Sequence, residues 1–339
     1  MLIWIIILII LLLLSNIKYN TITYWGSVLG LILIAGFRAS TVGTDTISYE
    51  QGFNRLAAGY DTYLEKGWKL LEELVIYFGG DYHIFLLVVS ILTIGSISIV
   101  FKKYSENPQL SLFIYYAMYA YLNSFNAMRQ FLAVSFIIVA YAELRNKRIF
   151  LFIISVFVAS FIHTSALIAL IVLFAPFIKT DNSLLIYTTL FITLLMGSFV
   201  NDSFFRIVSQ GYFHYIEDGT FGYREQESTI SALIMCILMN ILFIVIYKST
   251  DILVKKDMFF IIFFMAIIIM NITYRLELGT RIILYFTTIQ TLLYPKFFNK
   301  NYVYLKWIIL CYLLVVFFKI LILGGGGVKN YESVILNYI

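Results

Sequence analysis

The chain has 339 residues, of which 61% are hydrophobic and 13% charged, with a mean hydropathy of +0.91. Soluble domains carry about a quarter charged residues, so this composition excludes an ordinary soluble enzyme and points to a polytopic membrane protein. The net charge of +5 is no sign of nucleic-acid binding before the charges are sorted by membrane side, and Cys236 and Cys311 both sit in apolar runs where a thiol is a small packing group.

In chain order, apolar runs fall at 2–14, 22–37, 82–100, 109–123, 128–143, 149–174, 184–200, 229–247, 258–274, 281–294 and 303–323. Each is expected to be a helix, because an isolated strand leaves its backbone groups unpaired in lipid. The first run has no basic flank and no small-residue cleavage site, so it reads as a retained span. With no loop long enough for a soluble domain, residues 1–339 read as one integral-membrane domain, an all-α bundle of about 11–12 membrane segments. Two polar loops stand out, at 38–81 and 201–228. Within the first, Trp68, Leu71, Val75 and Phe78 recur at helical spacing and predict a short amphipathic helix on the membrane surface. Pro108, Pro176 and Pro295 punctuate the edges of spans. The run Gly324 to Gly327, with no strand before it, reads as a flexible tail.

The basic clusters Lys102/Lys103, Arg145/Lys147/Arg148, Lys248/Lys255/Lys256 and Lys296/Lys300 mark cytoplasmic loops. Simple alternation through eleven spans cannot put all four on one side. The long run 149–174 carries His163, Thr164 and Ser165 in its middle, and polar groups there are costly unless they face a cavity. A broken or re-entrant segment turning near His163 repairs the parity, giving twelve membrane segments with both termini outside; a single tilted helix is the alternative. In the hairpin arrangement the inner loops are net positive and rich in Lys, while Arg38, Arg55, Arg129, Arg206, Arg224, Arg275 and Arg281 fall outside. A guanidinium fork matches phosphate oxygens, whereas an ammonium is a point charge. The outer face is therefore suited to oxyanions.

The loop Phe37 to Phe53, FRASTVGTDTISYEQGF, places an aromatic-Arg pair before a Gly-x-Asp step and a later Tyr. Asn126 to Gln130 reads N-x-x-R-Q, Phe161 to Ala166 reads F-x-H-x-S-A, and Gly279-Thr280-Arg281 leads to Tyr285. These four motifs, in this order, resemble the EpsG-like, Wzy-type polysaccharide polymerases. The resemblance implies a GT-C-like helical bundle in the cytoplasmic membrane with its active site on the extracytoplasmic face. The implied reaction joins oligosaccharide repeat units carried on polyprenyl diphosphate into a capsule, exopolysaccharide or O-antigen, with a flippase and a chain-length regulator as partners besides membrane lipid. Arg129 and Arg281, and then Arg38, are the expected contacts to the donor diphosphate, with Gln130, Arg275 and Tyr285 also on the substrate-binding side. Asp45 is the expected base and His163 its orienting partner, with His163 the alternative base. No resident metal or cofactor is expected, although a lipid diphosphate can bring its own Mg2+.

Plainer readings accompany these assignments. An arginine at a span end can be a headgroup anchor, Asp45 a helix cap or turn former, and His163 a packed histidine bonded to a carbonyl. At the level of function, the rivals are a flippase or transporter of lipid-linked glycan, for which the chain lacks obvious internal repeats, and a membrane acyltransferase with His163 as base.

Overall fold

The computed structural model describes residues 1–62, 64–199 and 226–334. Regular structure among them is helical, apart from an isolated antiparallel bridge between Arg38 and Ser333. The chain divides into two compact units, one formed by 1–167 with 290–339 and the other by 168–289.

The first unit begins with α1 (Leu2–Asn16) and α2 (Thr21–Gly36), followed by two polar-loop helices, α3 (Thr46–Ala57) and α4 (Lys66–Tyr77). Next come α5 (Tyr82–Tyr104), α6 (Pro108–Ala117), α7 (Ala120–Asn123), α8 (Met128–Arg145) and α9 (Ile149–Ile162). The second unit holds α10 (Ser183–Phe199), α11 (Gln226–Ser249), α12 (Ile252–Lys255), α13 (Met258–Thr273) and α14 (Glu277–Thr287). The chain then returns to the first unit through α15 (Gln290–Leu293) and α16 (Val303–Ile322).

Among the described residues, three helices are long and apolar enough to cross a membrane: α5, the stretch Thr229–Ser249 of α11, and α16. Shorter apolar helices of 10–17 residues cover Leu2–Asn16, Thr21–Gly36, Ile149–Ile162, Thr164–Phe177, Ser183–Phe199 and Met258–Thr273. Two expected spans are interrupted. The run 109–123 stops after Ala117, because Tyr119 takes a left-handed φ of +66° before α7 restarts the coil. The run 281–294 divides among α14, α15 and a 3₁₀ turn at Tyr294–Phe297.

The third interruption is at His163. Helix α9 ends at Ile162, His163 is extended (φ −151°, ψ 111°), and Thr164–Phe177 continues as a 3₁₀ helix. At three residues per turn, every third residue shares a face. Ala166, Ala169, Val172 and Ala175 are all fully buried, so a row of small side chains at that spacing suits the tighter coil.

Within the first unit, α8 packs along α9, α2 along α5, and α1 along α6, while α4 lies against α3, α5 and α9. Two ends of this unit can be told apart. Tyr104 donates to Glu143 (3.0 Å), which also pairs with Arg148 (3.1 Å), so the basic turns after α5 and α8 share one end. The polar loop 38–65, Asn126, Arg129 and His163 meet at the other. In the second unit, a pair of buried amides, Asn240 and Asn271, exchange hydrogen bonds at 2.6 and 3.1 Å, and Asn271 also donates to Thr193. These bonds tie α10, α11 and α13 together. Thr180 donates to the Lys255 carbonyl (2.7 Å) and Asp181 pairs with Lys256 (3.5 Å), placing the turns at 180–181 and 255–256 side by side.

Candidate functional site

Helix α4 has a buried seam of Trp68, Glu72 and Val75, one and two turns apart. The seam rests on Phe53, Phe85, Val89, Met128 and Leu132, with Trp68 edge-on to Phe85 at 5.1 Å. Phe78, expected on this face, is instead exposed at the helix end, beside an outer stripe of Leu70, Leu74 and Tyr77. Packing at the first turn depends on Gly67: a Cβ there would stand 2.7 Å from the Phe161 carbonyl oxygen. Because glycine has no side chain, the start of α4 closes directly onto the end of α9. The preceding residue pair then brings Glu65 to His163.

Glu65 is the hub of the cluster. Its Oε2 accepts from Arg129 Nη1 at 2.5 Å and its Oε1 lies 2.7 Å from His163 Nδ1. Burial raises the Glu65 carboxyl, but the hydrogen bond from His163 and the charge of Arg129 outweigh it and hold the group at about 2. An ionised carboxylate only accepts, so His163 Nδ1 carries the hydrogen of this contact and Nε2 is the ring nitrogen that Glu65 leaves unused. The Arg129 guanidinium also stands over the Tyr49 ring, 5.9 Å from its centroid. All three ionisable side chains are part-buried, from 18% to 28% exposed. Water screens their interactions less than at an open surface.

Beside this cluster, Asp45 is exposed at the start of α3, accepting from the Thr44 hydroxyl (3.0 Å). Asn126, three residues before Arg129, fixes that loop. Its Oδ1 accepts from the Asp45 amide (3.2 Å) and the Thr44 hydroxyl (3.1 Å), while its Nδ2 donates to the Gly326 carbonyl (2.8 Å). The glycine run is thus docked and not the flexible tail its composition suggests. Gly326 and Gly327 both have positive φ, and a Cβ on Gly326 would reach 2.4 Å from Asn126 Nδ2. Thr44 N donates to Gly326 O (3.1 Å), and Ala39 N to Glu332 O (2.9 Å). The segment 326–334 is therefore a strap across the Asp45 loop.

Arg38 is only 2% exposed and its two Nη groups are engaged within the protein, while its Nε is buried without a partner. Nη1 donates to Ala35 O (2.5 Å), and Nη2 to Phe125 O (3.3 Å) and Met128 Sδ (3.1 Å), with the guanidinium 4.5 Å from the Phe125 ring centroid. Gln130 is buried beside Arg129. Thus Asp45, Arg129 and His163 are gathered at one end of the first unit. Arg275, Arg281 and Tyr285 belong to the second unit, where Arg275 donates to Ser198 O (2.5 Å), Arg281 is exposed on α14 and Tyr285 is buried. Most of the loop expected at 201–228, with Arg206 and Arg224, lies outside the described residues. Among the described residues, no group of three or more His, Cys, Asp or Glu is placed to hold a metal ion.

Sequence reading missed the joining role of Glu65, Tyr49 and Asn126. Glu65 stands 64 residues from Arg129 and 98 from His163, so no local spacing reveals it. Asn126 had a visible signal, its place at the head of N-x-x-R-Q, but its bonds to the Asp45 loop and the strap are tertiary. Compared with known proteins, residues 21–333 match a family model described as EpsG family. No curated protein and no solved structure matches the chain.

Proposed function

Because the chain belongs to the EpsG family, whose role is that of a membrane polysaccharide polymerase, we propose that it joins polyprenyl-diphosphate-linked oligosaccharide repeat units into a surface polysaccharide. The observation that carries this reading is the Glu65 carboxylate, which holds a guanidinium on one oxygen and an imidazole on the other. The pair supplies the two things glycosyl transfer from a lipid diphosphate requires. A fixed cation stabilises charge developing on the departing diphosphate, and a fixed cation in a water-poor site needs no reorganisation as the reaction proceeds. A base with a ring nitrogen that Glu65 leaves unused takes the proton of the attacking hydroxyl.

In this mechanism the acceptor hydroxyl oxygen bonds to the anomeric carbon of the donor sugar. The bond from that carbon to the diphosphate oxygen breaks, the hydroxyl proton passes to His163 Nε2, and the lipid diphosphate leaves as an anion. Arg129 faces the diphosphate, and Glu65 keeps both partners in register. His163 thereby takes the base role first expected of Asp45. Asp45, exposed at the edge of the cluster, orients the acceptor sugar. Arg38 serves as an internal brace, clamping the loop to the 125–128 turn. The cluster faces the extracytoplasmic side of the cytoplasmic membrane, opposite the basic turns at 102–103 and 145–148, and the break at His163 is the turn of a re-entrant segment.

The Glu65–His163 pair is also what a membrane acyltransferase would use as its base, and this is the one observation that favours that rival. A glycan ladder from a strain lacking the chromosomal copy separates the readings. Single units with no long chains support the polymerase; full ladders lacking acyl groups support the acyltransferase; carrier accumulating on the inner leaflet supports a flippase.

A further inference from the structure

Beyond its buried seam, helix α4 carries a second apolar face that the packing of the first unit leaves open. With 3.6 residues per turn, its side chains fall into stripes roughly a third of a turn apart. Trp68, Glu72 and Val75 form the seam. Lys66, Lys69 and Glu73 form a charged flank, where Lys69 pairs with Asp61 (2.6 Å) and approaches Glu73 (3.8 Å). The other flank holds Leu70, Leu74 and Phe78, with Tyr77 at its border with the charges; all four are exposed, Tyr77 and Phe78 at 82% and 81%. A helix that met only water beyond its seam would be polar on both flanks. Gly67 shows which way the apolar flank turns, because Leu70, Leu74 and Phe78 follow it at the spacing of one helix face. A Cβ on Gly67 would stand 2.7 Å from the Phe161 carbonyl oxygen, in the last turn of α9. The flank therefore turns toward the side on which the apolar helix α9 lies, and stays exposed where α4 runs on past the end of that helix.

The surface continues on the neighbouring helices. Helix α9 exposes Phe157 and Phe161 next to the start of α4, and α5, which begins after the turn at 79–81, exposes Ile84 next to its end. Helix α4 thus crosses from the outer end of one apolar helix to that of another, with charges on one flank and large apolar groups on the other. The face expected from sequence to meet the membrane, through Trp68, Leu71 and Val75, is turned toward the protein core; the flank beside it takes its place. We infer that α4 is an interfacial helix whose Leu70, Leu74 and Phe78 flank lies in the outer leaflet while Lys66 and Glu73 face water, so that the Glu65 cluster at its start is held at the depth of lipid phosphates. An apolar face of this kind sinks about 5–10 Å into the boundary between headgroups and acyl chains, and Tyr77 at the border of the two flanks is the residue type that prefers that boundary. The inference rests on the reading of the Glu65 cluster as the lipid-diphosphate site, and adds a route to it. The carrier reaches Arg129 sideways from the leaflet, its chain passing Phe161 and Leu70 while its phosphates stay at headgroup depth.

Two measurements on the full chain in liposomes test this. In the first, Lys66→Cys, Leu70→Cys, Glu73→Cys, Leu74→Cys and Phe78→Cys are made singly, with Cys236 and Cys311 replaced, and each carries a nitroxide. Collisions with oxygen, which concentrates in lipid, are compared with collisions with a water-soluble nickel chelate. Labels at 70, 74 and 78 should favour oxygen, and labels at 66 and 73 the chelate. Chelate access at 70, 74 and 78 overturns the inference; so does exclusion of both reagents there, which marks a contact with a second protein copy. In the second, Leu74→Glu is assayed with repeat units on a long polyprenyl diphosphate and on a short, water-soluble carrier, with Phe78→Glu as the further variant if Leu74→Glu folds poorly. KM for the long-chain substrate should rise about tenfold with kcat unchanged, and the short-chain substrate should show no difference from wild type. Equal losses with both carriers overturn the sideways route. If wild type forms no glycosidic bond from either carrier, the polymerase reading fails, while the nitroxide pattern still decides where α4 lies.

Discussion

Replacing Glu65 by glutamine tests the hub of the cluster with the smallest change of shape. Holding a carboxyl at about 2 instead of its ordinary 4.5 corresponds to about 3 kcal/mol favouring the charged form in the folded chain. With the side chain 18% exposed, solvent screening removes only part of this. Because the folded value is depressed, the stabilisation is fully present above pH 4.5 and disappears as the pH falls toward 2. Glu65→Gln should therefore lower the Tm in detergent by about 5 °C at pH 7, with the gap to wild type narrowing below pH 4.5. In cells the same variant should insert normally but give glycan ladders reduced to the shortest chains, since one amide oxygen cannot serve both His163 and Arg129, the NH2 group opposes whichever donor it meets, and the charge that holds the guanidinium is gone. A variant with wild-type ladders and an unchanged Tm at pH 7, or a Tm gap that persists undiminished at pH 3, would refute the reasoning.

Arg129→Ala should abolish long chains with the protein still in the membrane, and Arg129→Lys should recover only part of the ladder, because an ammonium cannot bridge Glu65 and a phosphate as a planar fork does; chain-length distributions measure both. Gly67→Ala should cost about 1–3 kcal/mol by pushing α4 off the Phe161 carbonyl, seen as a lower Tm together with a shortened ladder. Asn126→Ala unties the Asp45 loop from the strap, and limited proteolysis should then cut within 40–45 faster than in wild type. A cysteine placed at Asp181, with Cys236 and Cys311 replaced, should resist a membrane-impermeant maleimide in intact cells if the segment beyond His163 turns back to the cytoplasm; ready labelling from outside would remove the re-entrant turn.

The helical nature of the chain was legible at the level of runs, because apolar stretches bounded by polar loops leave the backbone little alternative in lipid. The interruption at His163 was legible too, from three polar residues in the middle of the longest run. Breaks inside apolar runs were not: the left-handed Tyr119 has no composition signal, and 281–294 divides although its residues are uniformly acceptable in a helix. Of the site, Arg129, His163 and Asp45 were found through motifs and brought to one end of the first unit. Their common partner was invisible, because Glu65 reaches Arg129 and His163 through folding alone. Arg38 shows the opposite difficulty, since a guanidinium in a polar loop looks available until the Phe125 and Ala35 carbonyls are found closing around it. The glycine run misled for a related reason: its positive φ angles are those of a docked turn, and composition does not distinguish this from slack chain.

The most direct test of the account reconstitutes the purified chain in liposomes with a synthetic repeat unit on polyprenyl diphosphate and counts released lipid diphosphate against glycosidic bonds formed. The account predicts one lipid diphosphate per bond for wild type and loss of both products in Arg129→Ala and His163→Ala. Polymer made at the wild-type rate by either variant would contradict it.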